Sequence, residues 1–240
     1  MRRITSWTLT LLAPLLFPVT ALHAETVVLT ATDYPPYEFA DPQNGLRGFD
    51  VEVIEAAFQR VGISTEFRFL PWKRALEQTK RGSFTGIFSC GHRVDREAFF
   101  LYSDTISKVT HGFFLRRDFD GFEPNSVQAA DGLEVSTVLG YVHVDILKEA
   151  GAKVVTYRSE ELLFRDLLKG VVDYSFLSME GTLFRMKKQG ISKEFRFLKS
   201  YDNKLYLCFS KKWPHVEETV EKFNKGRITF LFWMGIPESP

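Results

Sequence analysis

Short runs rich in valine, isoleucine, leucine and aromatic residues alternate with amphipathic stretches that close on glycine, and the alternation runs twice along the chain. Parallel strands need crossovers long enough to hold a helix, so this order predicts an α/β protein of mostly parallel sheet flanked by helices. Thr26–Ala31 reads as the first strand, and Asp33-Tyr34-Pro35-Pro36-Tyr37 must then leave the sheet, because consecutive prolines remove donors and fix extended torsions. Gly45 and Gly48 bracket a turn before a helix N-capped by Asp50, with Val53, Ile54, Ala57 and Phe58 facing inward and Gly62 at its end. Glu66–Leu70 is the next strand, and Pro71 opens a helix over Trp72–Arg81 that stops at Gly82. The pattern restarts after a hinge-like Tyr102-Ser103-Asp104. Strands are predicted over Thr110–Leu115, Leu133–Val138, Lys153–Tyr157 and Val171–Leu177, with helices running to Ala150, starting at a Ser159 cap, and spanning Gly181–Gln189. A strand Phe195–Leu198 leads to a second hinge at Lys199-Ser200-Tyr201-Asp202. The chain then returns to the first unit through Leu205–Ser210 and two helices, His215–Lys225 and Ile228–Met234.

The chain begins with Arg2 and Arg3, an apolar stretch Leu9–Val19 broken by Pro14 and Pro18, and a small-residue cleavage site ending at Ala24. This is the layout of a cleaved secretory leader, and it falls short of the about 20 apolar residues of a spanning helix. Removing the leader removes two bases and no acid from a nearly balanced chain, so the surface carries no electrostatic footprint for nucleic acid or anionic membrane. A hydrophobic content of 45% supplies a core and argues against disorder. Cys90 and Cys208 would share an oxidising compartment, where they are either two buried thiols or a disulfide.

Chemistry concentrates in Gly86–Ile106. An apolar strand through Phe84, Ile87 and Phe88 ends in a small-residue loop, Ser89-Cys90-Gly91, with N–H groups to offer, and Arg96 follows. A guanidinium grips a carboxylate through two parallel hydrogen bonds; the blander reading makes Arg93 and Arg96 solvated charges paired with Asp95 or Glu97. Tyr34 and Trp72 stand at strand ends, where open α/β sheets bind ligands, and each is otherwise a core aromatic. Gly140-Tyr141 is a glycine turn feeding a helix N-terminus, and Ser178 ends a strand at the same crevice. No G-x-S-x-G, G-x-x-x-x-G-K-[ST] or G-x-G-x-x-G is present. His92, His111, His143 and His215 lack metal-ligand spacing, so no metal, cofactor or catalytic group is assigned.

ATDYPPYEF (Ala31–Phe39), GLRGFDVEVIEAAF (Gly45–Phe58), the R-x5-YSD-x-I run (Arg96–Ile106), KGVVDYSFLS (Lys169–Ser178) and LCFSKKWP…FNKG (Leu207–Gly226) resemble, in order, the family 3 extracellular solute-binding proteins. The resemblance implies a two-lobe periplasmic-binding-protein fold of type II joined by two hinge strands. The leader would be 1–24, the first lobe 25–103 with a return segment 201–240, and the second lobe 104–200. It further implies a monomeric periplasmic receptor that closes like a clamshell on a small anionic or zwitterionic, amino-acid-like solute and delivers it to an inner-membrane ABC permease. Arg96, Ser89, Gly91, Tyr34 and Trp72 would line the first lobe, and Tyr141 and Ser178 the second. The same resemblance puts both cysteines in one lobe and leaves open a dehydratase-like enzyme acting on arogenate or prephenate, or a stand-alone sensor. Ser178 departs from the family pattern, which places an acid there to hold an ammonium, and Arg93 and Thr105 replace a usual threonine and proline.

Overall fold

A computed structural model describes residues 25–233, with side chains through Arg227. The leader and the last residues of the chain therefore lie outside the described part. Its elements in chain order are β1 (Thr26–Ala31), α1 (Phe49–Arg60), β2 (Ser64–Phe69), α2 (Trp72–Lys80), β3 (Gly86–Gly91), β4 (Phe100–Tyr102), β5 (Ser107–Arg116) and β6 (Glu134–Val138). There follow α3 (His143–Glu149), β7 (Lys153–Tyr157), α4 (Glu160–Leu168), β8 (Tyr174–Ser178), α5 (Met179–Lys188), β9 (Phe195–Ser210) and α6 (Val216–Trp233).

The strands run in the order β2-β1-β3-β9-β5-β8-β6-β7, with β4 paired to β9 off this path. β1 is parallel to β2 and β3, and β6 is parallel to β7 and β8, so each lobe has its own parallel block. The blocks meet through the long antiparallel pair β5–β9, in register from Ser107↔Leu205 to Arg116↔Phe195 with one irregularity after His111. Helices cover both faces. Leu29, Ile54, Phe58, Phe88, Phe209 and Phe223 fill the side under α1 and α6, while Ala75, Ile87, Cys90, Phe100 and Cys208 fill the side under α2. In the second lobe, Leu163, Phe164, Leu177 and Met186 pack on one face and Val135, Leu147 and Phe176 on the other. Burial on both faces is why these strands read as continuous apolar runs.

Four local expectations are corrected. Asp50 does not cap α1: Gly48, at φ +101°, is the capping residue, and an added Cβ there would strike the Tyr37 backbone, so Asp50 falls in the first turn. Ser89-Cys90-Gly91 is not a loop after the strand. It belongs to β3 and pairs with β9 beyond a register shift between Ile87 and Cys90, with Ser89 at φ +51°. The predicted strands Phe195–Leu198 and Leu205–Ser210 are one 16-residue strand, because β5 supplies a partner through the polar middle. The two C-terminal helices are likewise one, α6. Of the two readings of the cysteines, the structure has the disulfide: Cys90 and Cys208 are bonded with Cα atoms 6.2 Å apart, tying β3 to β9.

Candidate functional site

The loop that follows β1 packs against α5, the helix that follows β8, so strand ends of both lobes border one crevice, the position at which open α/β sheets take ligands. On the first-lobe side, a single 3₁₀ turn, Val94–Arg96, follows β3 and turns Arg96 back over the strand end. Arg96 Nη1 donates to the Gly91 carbonyl at 3.0 Å and lies 3.6 Å from Cys90 Sγ, and the guanidinium sits 5.6 Å above the Trp72 ring. Trp72 is the first residue of α2, packed against the Ala75–Cys90–Cys208 cluster. Among the described residues no carboxylate forms an ion pair with Arg96, and burial pulls its pKa downward. Arg93 contrasts with it: exposed, and bonded to Asp95 at 2.9 Å. The solvated reading thus describes Arg93, whereas Arg96 is half-buried and supported on two sides, with Asp95 acting on it only at a distance.

Ser89 is placed differently from its neighbours. Its hydroxyl lies 2.6 Å from Glu38 Oε2 and 2.8 Å from Asp50 Oδ2, and Ser107 donates to Asp50 Oδ2 at 3.0 Å. A serine carries one proton, so it can donate to only one of two carboxylates. The arrangement closes if protonated Glu38 donates to Ser89 and Ser89 donates to Asp50. Burial, reinforced by Asp50, raises the Glu38 carboxyl well above its ordinary range, and burial lifts Asp50 to about 6.

Tyr34 stacks on Tyr37 with centroids 5.0 Å apart, and burial raises its phenol while the nearby Ser178 side chain works against that rise. The loop bearing them continues against α5: the Phe39 and Phe184 rings are 5.6 Å apart, and Gly181 admits the Pro35 carbonyl. Glu180 is turned toward the hinge, where both its oxygens accept from the Thr110 N–H at 3.1 and 3.2 Å. On the second-lobe side Tyr141 donates to Glu160 Oε1 at 3.1 Å. Arg185 holds Glu160 by a two-pronged ion pair, donating through Nη2 at 2.6 Å and also through Nε. Burial, with help from Glu160, pushes the Tyr141 phenol up to about 12.

The fold therefore brings Arg96, Gly91 and Trp72 together, sets Tyr34 near Ser178, places Tyr141 in a separate cluster with Glu160 and Arg185, and turns the Ser89 hydroxyl toward buried acids. Sequence reasoning treated the histidines as isolated. His111 Nδ1 and His143 Nε2 are 2.8 Å apart, both rings are buried, and burial holds both well below the ordinary imidazole range. Nothing in the spacing of these groups signals the pairing, since each contact joins different strands or helices. Among the described residues no group of three or more metal-type ligands assembles, and no helix is long and apolar enough to cross a membrane.

Comparison with known proteins agrees with this architecture. The chain is 22% identical over 168 residues to the arginine-binding periplasmic protein of Mannheimia haemolytica, covering 70% of this chain and 68% of that one. It is 25% identical over 202 residues to the "Probable amino-acid-binding protein YxeM" of Bacillus subtilis, covering 79% and 76%. In fold it resembles the unliganded, open L-cystine solute receptor of Neisseria gonorrhoeae, with a TM-score of 0.69, 21% identity, and coverage of 89% and 90%. A histidine kinase sensor domain similar to periplasmic binding proteins aligns with a TM-score of 0.68, 22% identity, and coverage of 88% and 92%. The sequence profile of the bacterial extracellular solute-binding proteins, family 3, matches residues 26–227, and the chain belongs to that family.

Proposed function

We propose that this protein is a periplasmic receptor that captures a small carboxylate-bearing, amino-acid-like solute and hands it to an ABC-type permease. One observation carries the reading: a half-buried guanidinium at the mouth of the crevice, preorganised by the Gly91 carbonyl and the Trp72 face, with no carboxylate of its own. Such a group is costly to bury unpaired and gains most from an incoming carboxylate, which it can hold through two hydrogen bonds. Because desolvation is partly complete before the solute arrives, less ordering is left to oppose binding.

The solute docks first on Arg96, beside Trp72 and Tyr34. Residues 104–200, as the second lobe, then rotate about β5 and β9 toward residues 25–103 and the return segment 201–240, so that Ser178 and the Tyr141 region close the other side. The periplasmic relatives and a leader at 1–24 support the location. Calorimetric titration of small carboxylates into the parent and into Arg96→Gln tests the anchor. Affinity should fall about 100-fold with a melting temperature close to the parent's, as for one partner lost from a charged hydrogen-bonded pair. Unchanged affinity would place the anchor elsewhere. Ultraviolet assay of prephenate and arogenate tests the enzymatic alternative.

A further inference from the structure

The guanidinium that anchors the solute rests on adjacent residues at the end of β3. Arg96 Nη1 donates to the Gly91 carbonyl at 3.0 Å and lies 3.6 Å from Cys90 Sγ, while Trp72 of α2 supports the group from another side, its ring 5.6 Å away. Where Cys90 and Gly91 sit therefore decides where the anchor sits. That strand end is irregular. β3 follows β9 through Gly86↔Phe209 and Ile87↔Cys208, then slips before resuming at Cys90↔Tyr206 and Gly91↔Leu205. Ser89, inside the slip, takes φ +51° and turns its hydroxyl to Glu38 and Asp50, while Cys90 enters the cluster under α2. A bulge interrupts the ladder, and a short strand end beyond one has few backbone bonds of its own to hold it.

The disulfide crosses this interruption. Cys90 stands opposite Tyr206 in the ladder but is bonded to Cys208, the residue that pairs with Ile87 on the near side of the slip. One covalent bond thus ties the displaced end of β3 back to the regular part of β9, and both cysteines are fully buried beside Ala75, Ile87 and Phe100. We infer that the Cys90–Cys208 disulfide is a positioning device for the solute anchor: it fixes the Gly91 carbonyl and Cys90 Sγ beneath Arg96, and without it the crevice loses affinity for carboxylates while the fold persists. This inference rests on the proposed role of Arg96. An anchor held in place before binding leaves less ordering to oppose capture, so a loosened support shows in affinity. Arg93 supplies an internal control. It precedes the same 3₁₀ turn but pairs with Asp95 in solvent, and its backbone N–H and carbonyl each meet the Tyr102 hydroxyl at 3.3 Å, contacts made without either sulfur.

The test compares the full chain after export with two double variants, Cys90→Ser with Cys208→Ser and Cys90→Ala with Cys208→Ala, at a temperature where circular dichroism shows all three folded. Phenylglyoxal, which modifies accessible guanidinium groups, is the probe, and peptide mass spectrometry reads its rate at each arginine. Arg96 should react about fivefold faster in both variants, with Arg93 at the parent's rate. Calorimetric titration of small carboxylates beside Arg96→Gln should show affinity falling about tenfold in both cysteine variants. Equal labelling of Arg96 in parent and variants overturns the inference, whether or not a carboxylate binds. Faster labelling of Arg93 and Arg96 alike overturns it too, because the bond would then serve the lobe as a whole. Affinity lost in Arg96→Gln but kept in both cysteine variants overturns the inference and leaves the receptor reading standing. Affinity that survives Arg96→Gln as well would place the anchor elsewhere and break the proposed function together with the inference built on it.

Discussion

The two faces of the crevice are built on the same parallel-strand plan and handle charge in opposite ways. The first lobe leaves Arg96 without a carboxylate while hiding its acids, Glu38 and Asp50, behind Ser89. The second lobe pairs Glu160 with Arg185 and buries a histidine pair, while Glu180 accepts only a backbone N–H. Among the described residues, Arg96 on the first lobe and Glu180 at the start of α5 are thus left without an ion pair. A carboxylate should therefore dock on the first lobe, with the second closing over it.

The largest expected effect tests how rigid the Arg96 side is. Cys90 and Cys208 close a separation of 118 residues directly beneath Arg96. Replacing both by serine should lower unfolding free energy by about 2–5 kcal/mol, read from denaturant midpoints with and without reductant. Parent and variant should coincide once reductant is present. A change of less than half a kcal/mol would mean that the bond does not form in the mature protein.

Next comes the second lobe's internal neutralisation. Glu160→Gln leaves Arg185 facing a neutral amide in a largely buried setting and should cost about 2–3 kcal/mol, somewhat below the figure for a fully buried pair because Arg185 is 26% exposed. Glu160→Gln combined with Arg185→Met should recover most of it. Additive losses in the double variant would show that the two residues do not work as a unit.

The pH dependence separates the lobes by sign. Burial lowers His111 to about 4 and His143 to about 3, so their contribution is present above the ordinary value of 6.5 and is lost as pH falls through that window. Asp50 is raised by burial to about 6, so its contribution is complete below its ordinary value of 3.8 and is lost as pH rises through 6. Melting curves should show Asp50→Asn removing a decline between pH 4 and 7, and His143→Gln flattening the acid limb. An Asp50→Asn profile parallel to the parent's would contradict the buried-acid arrangement.

The smallest effect lies where the faces touch. Tyr34→Phe removes the hydroxyl that lies near Ser178 and should weaken solute binding by about 1 kcal/mol, with the Tyr37 stack kept and the melting temperature almost unmoved. No change in affinity would mean that this contact contributes nothing to closure.

Much of the fold could be read from local pattern. Pro71 and Gly82 bracket α2, Ser159 caps α4 by accepting from Leu162 N, and Lys153–Tyr157 is the strand its β-branched run predicts. Such signals are legible because backbone torsions and capping groups act within a few residues. The same logic failed at Asp50, a good capping residue whose carboxylate was recruited by Ser107, 57 residues away in sequence. It failed again at Lys199–Asn203, whose polarity suggests a break where β9 runs on beside β5.

Periodicity, punctuation and the order of motifs thus determined an α/β chain of two repeated halves and put an arginine just after the third strand. Tertiary structure alone decided which charges are left free. Arg93 and Arg96 are near neighbours with the same side chain, yet one pairs with Asp95 in solvent and the other lies over Trp72 without a carboxylate. The reason is that coulombic and hydrogen-bond energies depend on distance and desolvation in space. The partners that set them, Glu160 with Arg185 and His111 with His143, are 25 and 32 residues apart along the chain.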